Sequence, residues 1–522
     1  MTTTAPTRAA GARWLNAIER AGNRLPHPVM LFVWLCVAAA LASAIAAALG
    51  LRGVHPGTGE DVRALNLISG EGLRRFLGEM PRTFTAFPPL GTVLVAMLGI
   101  GVAERVGLIG ATLGRFVERM PPRALPAAVV FAGIMSSVAS DAGYVVLVPL
   151  GAAVFAAAGR HPIAGLAAAF AGVSGGFGAN LLISSLDPLL AGITQTAAQL
   201  IDPAYRVEAT ANYFLMVAIV PLFTLLGALV TVRLVEPRLG PWVPGPDAPP
   251  PPERLGAAER RGLRAAGRVG LAILVLMALS VLPPGAPLRD PATGAAGPFF
   301  QGIVGIVAIA FLVLGIAYGR ATGRIGGVGD VIELAADSMR AMALYILLAF
   351  TAAHFIAFVN WSNLGVLAAI SGAAGLKASG LGGAPLLAGL VVVAGLINLV
   401  IGSASAKWAV LATVFVPMFM LVGITPEATQ AAYRIGDSVT NIIAPTLPYF
   451  PLILVAGARY VPGFSVGSLV AAMLPYSLAF LAGGLALLLA WLALDLPVGP
   501  GAPAFMAQVR APAAAASAAP AL

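Results

Sequence analysis

A chain of 522 residues that is 59% hydrophobic and only 10% charged is not an ordinary soluble domain, in which roughly a quarter of residues are charged. Its net charge of +9 does not mark a nucleic-acid binder, because the basic residues are spread over the connecting segments and fit the positive-inside bias of membrane proteins. One cysteine, Cys36, and four scattered histidines leave no disulfide framework and no metal-ligand spacing.

Residues 1–28 carry Arg8, Arg13, Arg20 and Arg24 against Glu19 and no cleavable signal, so they read as a cytoplasmic N-terminal segment. The first membrane half, 29–235, opens with an apolar run over 29–51, a polar loop over 52–83 and a second span at 88–103. Apolar stretches of about 20 residues recur along the whole length, as spanning helices require. Residues 124–158 are apolar on both sides of Ser136, Ser137, Ser140 and Asp141, which predicts a re-entrant hairpin or one bent span. Residues 163–200 are interrupted by "GVSGGFGANLLISSLDP" and read as a broken helix; a clean span ends this half at 213–235.

Residues 236–266, rich in Pro and Arg, read as a cytoplasmic linker. The second half, 267–494, has spans near 267–283, 299–318, 340–358 and 384–402, a hairpin at 403–424 with the polar tip "SASAKW", a broken helix at 428–458, and a last span at 465–494. Residues 495–522, Ala- and Pro-rich, read as a disordered tail. The fold class is an all-α polytopic membrane protein.

The halves echo each other. "SSVASDAGYVVLVPL" (136–150) is answered by "SASAKWAVLATVFVPM" (403–418), and "AGVSGGFGANLL" (171–182) by "IGDSVTNIIAPT" (435–446). Gly172 then matches Gly436, and Ser174 matches Ser438. Repeats interrupted by Gly and Pro in corresponding places are the pattern of a secondary transporter whose site lies between the broken elements.

A charge at bilayer depth costs at least ~2.5 kcal/mol, so each one needs a reason. "AAYRIGDSVTNIIAPTLPYF" (431–450) carries Arg434, Asp437, Asn441, Pro445 and Pro448. On a helix, Arg434 faces Asp437, and Asp437 faces Asn441, while the prolines free backbone carbonyls to act as ligands. The bland alternative is an internal Arg434–Asp437 salt bridge that only satisfies itself. Asp187 before Pro188 is either a site residue or a helix cap. Asp141 sits at a hairpin tip, where exposure would explain it. Lys407 reads as a snorkelling residue, and Trp408 as either an interfacial anchor or a stacking platform. Asn180 adds an amide in the first half, and Asn398 needs a partner inside its span. No P-loop is present. No G-x-S-x-G comes with a His/Asp set, and an Asp141/Asp437 protease dyad lacks the accompanying Tyr-Asp pair. The chain reads as no enzyme.

The stretches "LPHP" (25–28), "VHPGTGE" (54–60), "FTAFPPLGTVLVAMLGIGVAERVGLIG" (84–110), "SDAGYVVLVPL" (140–150), "GRHPIAGLAAAFAGVSGGFGANLL" (159–182) and "SASAKWAVLATVFVPMFMLVGITPE" (403–427) resemble the AbgT family of p-aminobenzoyl-glutamate transporters, from about residue 14 to 494. The resemblance implies a homodimer in the inner membrane with about nine spans, each of bilayer length, two re-entrant hairpins and two inverted repeats. It implies transport of p-aminobenzoyl-glutamate, p-aminobenzoic acid or sulfonamides, coupled to Na⁺ or H⁺, with no other cofactor. It also marks Asp187, Ser405, Trp408, Pro426, Arg434, Asp437 and Pro445 as transport residues.

The expectation is that Arg434 holds a substrate carboxylate, Trp408 stacks on the aminobenzoyl ring and Pro445 keeps the helix broken. Asp437 takes the coupling cation with Asn441, Asn398 and freed carbonyls, and Asn180 is the further amide candidate. A transporter of another carboxylate, such as a dicarboxylate, is the alternative. A passive channel or an inert scaffold fits the mirrored breaks less well.

Overall fold

A computed structural model describes residues 28–54, 60–139, 142–243, 255–444, 447 and 449–506. Asp141, Pro445 and Pro448 lie outside the described residues. So do nearly all of the N-terminal segment, residues 244–254 of the linker and the tail beyond residue 506.

One order of helices is used twice. The first copy runs α1 (Pro28–Ala48), α2 (Gly70–Thr85), α3 (Pro88–Arg105), α4 (Leu108–Glu118), a hairpin of α5 (Leu125–Ser136) and α6 (Ala142–Ala157), a broken crossing of α7 (Pro162–Phe170) and α8 (Leu186–Ala198), and α9 (Tyr213–Val230). After the connecting helix α10 (Ala257–Val281), the second copy runs α11 (Ile303–Thr322), α12 (Val328–Ala341), α13 (Ala343–Trp361), α14 (Leu364–Ala378), a hairpin of α15 (Gly383–Asn398) and α16 (Ala404–Met420), a broken crossing of α17 (Pro426–Asn441) and α18 (Phe450–Ala458), and α19 (Val466–Ala493). The connecting helix α10 is itself long and apolar enough to cross a membrane between the two copies. A short ribbon, β1 (Arg52–Val54) against β2 (Asp61–Arg63), is antiparallel. Among the described residues, seven helices are long and apolar enough to cross a membrane.

Packing obeys the same repeat. α3 lies against α11 and α12, just as α13 lies against α1 and α2. Lipid tails are as apolar as leucine, so these crossings depend on close backbone approach rather than on hydrophobicity. Gly172, at the end of the first arm of one broken crossing, has no room for a Cβ because the Val130 carbonyl of α5 is there. Gly436 of α17 is held in the same way against the Val391 carbonyl of α15.

Four expectations are corrected. The second hairpin is not 403–424. Residues 404–420 form one uninterrupted helix, and the other arm is α15, which had read as a simple span. The polar run "SASAKW" misleads because it marks a helix start: Ser403 caps α16, its Oγ accepting from the Ala406 N–H at 3.4 Å. The linker is shorter than 236–266, because an amphipathic, Arg-bearing turn starts α10 at Ala257, where Glu259 reaches back to the Gly256 N–H at 2.9 Å. The polar loop 52–83 contains α2, capped by Ser69. Finally, residues 498–506, read as disordered, fold back. The Leu215 N–H donates to Val498 O at 3.2 Å, Thr425 N–H to Ala504 O at 3.2 Å and Met506 N–H to Gly423 O at 2.9 Å. Val498, Ala502 and Ala504 are buried. Small apolar side chains without periodicity look like disorder in a sequence, yet they fill a narrow groove well.

Candidate functional site

The two broken crossings touch each other. Where α7 gives out, the backbone of Gly178 is left without a helical partner, and α17 supplies one. Gly178 N–H donates to Ser438 Oγ at 2.8 Å, and Gly178 O accepts from Arg434 Nε at 3.2 Å and Nη2 at 2.8 Å. The remaining arm of the guanidinium, Nη1, lies 2.6 Å from Asp187 Oδ1. The other oxygen, Asp187 Oδ2, accepts from the Ser184 N–H at 2.6 Å and hydroxyl at 2.8 Å. Both residues are buried. A planar fork suits this role, reading a carbonyl and a carboxylate at once. The bland alternative, an Arg434–Asp437 bridge, gives way to a bridge between the two repeats. Asp187 is both the cap of its own loop and the anion of that bridge.

Asp437 faces the other way, toward the second hairpin. Lys407 Nζ lies 2.5 Å from its Oδ1, and Tyr433 donates its hydroxyl to the same oxygen at 3.2 Å. Lys407 also donates to Asn398 Oδ1. The Asn398 amide nitrogen donates to Asp437 O at 2.8 Å, Thr440 Oγ1 at 2.9 Å and Asn441 Oδ1 at 2.8 Å. Lys407 is not a snorkelling residue: its side chain is 0% exposed. Three of the four predicted ion ligands, Asn398, Asp437 and Asn441, thus come together. Asn180 belongs to the other break, where its Nδ2 donates to Ser137 Oγ at 2.8 Å. The oxygen chemistry fits a small monovalent cation, but the structure sets the lysine ammonium among those oxygens. Among the described residues no cluster of His, Cys, Asp and Glu suits a heavier metal.

Trp408 presents no free face. It is fully buried, stacked on Tyr433 with centroids 4.4 Å apart, and its Nε1 donates to Thr194 Oγ1 at 2.8 Å. From there a polar chain continues through Gln430 (Thr194 Oγ1 to Oε1, 2.5 Å) and Asn212 (Gln430 Nε2 to Oδ1, 2.8 Å) to the Glu427 carbonyl (2.7 Å). The Glu427 carboxylate accepts from Tyr205 at 2.9 Å. Sequence reasoning missed Thr194, Gln430, Asn212, Glu427 and Tyr205. The signal was present for two of them: Glu427, Gln430, Arg434, Asp437 and Asn441 follow the three-four spacing of one helix face. Pro426 starts α17 and is buried, with Thr425 as the cap.

A cavity of about 650 Å³ lies between the hairpin ends. Every broken end reaches it. Ser137 comes from the end of α5, Tyr144 from the start of α6, Phe177 from beyond α7 and Ser185 from before α8. In the other repeat, Gly402 follows α15, Ser403 and Ser405 start α16, Asn441 ends α17, and Tyr449 precedes α18. Helix starts offer unpaired N–H groups and positive dipole ends to anions; helix ends offer carbonyls to cations. Aromatic surface is present as well, since Tyr144 stacks on Tyr449 at 4.4 Å and 9°. Ser405 and Asn441 line the cavity, whereas Arg434, Asp437 and Trp408 stand behind its wall. Two other clefts, about 530 and 660 Å³, lie along α10 and α11. Their walls are mostly Leu, Ile and Phe, so they suit lipid chains rather than a carboxylate.

The sequence profile of the AbgT putative transporter family matches residues 13–506. The chain is 40% identical over 498 residues to the p-aminobenzoyl-glutamate transport protein of Escherichia coli (strain K12), covering 95% of this chain and 98% of that one. Among solved structures, the Alcanivorax borkumensis YdaH transporter superposes with a TM-score of 0.87 at 47% identity, covering 91% of this chain and all of that one. Neisseria gonorrhoeae MtrF, of a class of antimetabolite efflux pumps, superposes with a TM-score of 0.87 at 45% identity over 94% of this chain.

Proposed function

Because the chain belongs to the AbgT putative transporter family, we propose that it is a secondary-active transporter of p-aminobenzoyl-glutamate or a related aminobenzoate, p-aminobenzoic acid and sulfonamides included, driven by a Na⁺ or H⁺ gradient. The observation that carries this reading is the convergence of every broken helix end on one cavity. Such ends are where a transporter fold exposes backbone groups to cargo at membrane depth. The N-terminal turns of α8 and α16 face the substrate carboxylates, with the hydroxyls of Ser405 and Ser137 beside them. The stacked Tyr144–Tyr449 pair gives the ring an aromatic wall, which favours an aminobenzoate over an aliphatic dicarboxylate.

The roles of the charged residues shift accordingly. Arg434 has its donors on Asp187 and Gly178, so in this conformation it locks the two breaks together and does not meet a substrate carboxylate directly. Trp408 positions Tyr433 beside Asp437. Asp437, Asn398 and Asn441 remain the ion-handling set. We place the protein as a homodimer in the inner membrane, N-terminus in the cytoplasm, which the arginines before residue 28 support.

Competition tests the substrate class. In vesicles holding the protein, p-aminobenzoate and a sulfonamide are expected to inhibit uptake of labelled p-aminobenzoyl-glutamate far more than an aliphatic dicarboxylate does. Equal inhibition by the dicarboxylate would move the assignment to that class.

A further inference from the structure

The chain has 31 basic residues, and only Lys377 and Lys407 are lysine. Arginine serves everywhere else, including the buried bridge to Asp187. A lysine at position 407 is therefore a departure from the chain's own habit. The two cations differ in kind. A guanidinium is a flat fork, whereas an ammonium is a compact, strongly hydrated point charge, much closer to a free monovalent cation. Its surroundings match that description: the ammonium is held by Asp437 Oδ1 at 2.5 Å and by Asn398 Oδ1, a carboxylate and an amide oxygen.

The position is also mechanically informative. Lys407 is on α16, two residues beyond Ser405, which lines the cavity. Asp437 is on α17, and Asn398 ends α15. The ion pair thus joins a hairpin arm to a broken helix, and a movement of α16 away from α15 and α17 draws the ammonium off the carboxylate while Asn398 stays beside it. Asn441 touches Asn398 at 2.8 Å and lines the same cavity, so two amide side chains link the pair to that cavity.

We propose that the Lys407 ammonium is a tethered counter-cation. It fills the place at Asp437 and Asn398 that a free monovalent cation would otherwise take, and such a cation enters only when α16 withdraws the lysine. The unloaded carrier is then self-neutralised and can return across the membrane without an ion. This rests on the reading of the protein as a cation-coupled transporter, but its test does not involve transport.

The test is thermal unfolding of the purified full-length protein, with sodium chloride titrated against choline chloride at constant ionic strength. Lys407→Gln is expected to gain a saturable Na⁺-dependent rise in Tm, with half-saturation at least about tenfold below any seen in the wild type. The double variant Lys407→Gln/Asp437→Asn is expected to show no such rise. A Lys407→Gln protein no more responsive to Na⁺ than the wild type would overturn the proposal. So would a double variant that responds as strongly as the single one. Should Lys407→Gln not survive purification, Lys407→Ala can be prepared in ethylammonium chloride, which refills the vacated space. The proposal expects ethylammonium to raise the Tm of Lys407→Ala but not of Lys407→Ala/Asp437→Asn, and equal responses would contradict it. A failure to take up aminobenzoates would leave these shifts untouched, and absent shifts would leave uptake untouched.

Discussion

The two broken crossings share a skeleton and differ in chemistry. Both place a glycine against a hairpin carbonyl, Gly172 on Val130 and Gly436 on Val391. Both follow it by two residues with a serine that bridges elements, Ser174 accepting from Tyr144 and Ser438 from Gly178. The first crossing then offers mostly backbone and small polar groups, with Asp187 as its buried charge. The second gathers Glu427, Arg434 and Asp437 on α17, with Lys407 against it. Internal duplication thus explains the architecture, and divergence after it placed nearly all the ionic chemistry on one side. Substitutions in the shared skeleton are expected to act alike in the two repeats, and substitutions of the charges are not.

The largest effect is expected at the bridge between the repeats. Arg434→Met or Asp187→Leu alone strands a buried charge and is expected to cost about 3–5 kcal/mol. The double variant removes both charges and is expected to regain most of that loss in detergent unfolding. If each single variant unfolds like the wild type, the bridge does not hold the breaks together. Next comes Trp408→Phe, which keeps a ring on Tyr433 and loses the bond to Thr194, whose hydroxyl keeps Gln430; about 1–3 kcal/mol is expected for the lost hydrogen bond and the space the indole leaves. Gly172→Ala and Gly436→Ala sharpen the comparison directly. Each forces a methyl onto a backbone carbonyl, and each is expected to cost about 1–3 kcal/mol, the two losses matching more closely than any pair of charge substitutions. A cost at only one of them would break the twofold account.

The smallest effect lies outside the bilayer. At the start of α12, the N–H groups of Gly326 and Gly327 hold the Asp330 carboxyl below its ordinary range. Its contribution is complete above the usual aspartate value of about 4 and disappears as pH falls through the lowered one. Asp330→Asn is therefore expected to change the acid side of the stability profile slightly and the neutral region hardly at all.

Much of this was legible in the sequence. Apolar length marked the spans, and serines and glycines inside apolar runs marked the first hairpin and both breaks. The charges at Asp187, Arg434 and Asp437 stood out because a charge inside an apolar run needs a reason, although a helix cap and a local salt bridge were open as reasons. Their partners were not. Arg434 and Asp437 are three apart on one helix, which suggested a pair, whereas the fold sends them in opposite directions to Asp187 and Lys407. Those are contacts across 247 and 30 residues, and local spacing carries no information about them. The second hairpin was misplaced for a related reason. Its turn, 399–403, is short and mostly apolar, while the polar residues that drew attention already belong to α16. Ordering of 498–506 depends on a groove made by α9 and α17, and composition alone cannot anticipate it.

The central claim is that substrate sits where the broken ends meet, and Ser405 reports on it most directly. With Cys36, the sole cysteine, changed to serine, Ser405→Cys gives a single thiol at the cavity wall. The rate of its modification by a small water-soluble thiol reagent should be measured in membranes with and without p-aminobenzoyl-glutamate. The account predicts that the compound slows modification in a saturable way and that an aliphatic dicarboxylate does so far less. Equal rates with and without p-aminobenzoyl-glutamate, in protein shown to transport it, would put the substrate elsewhere.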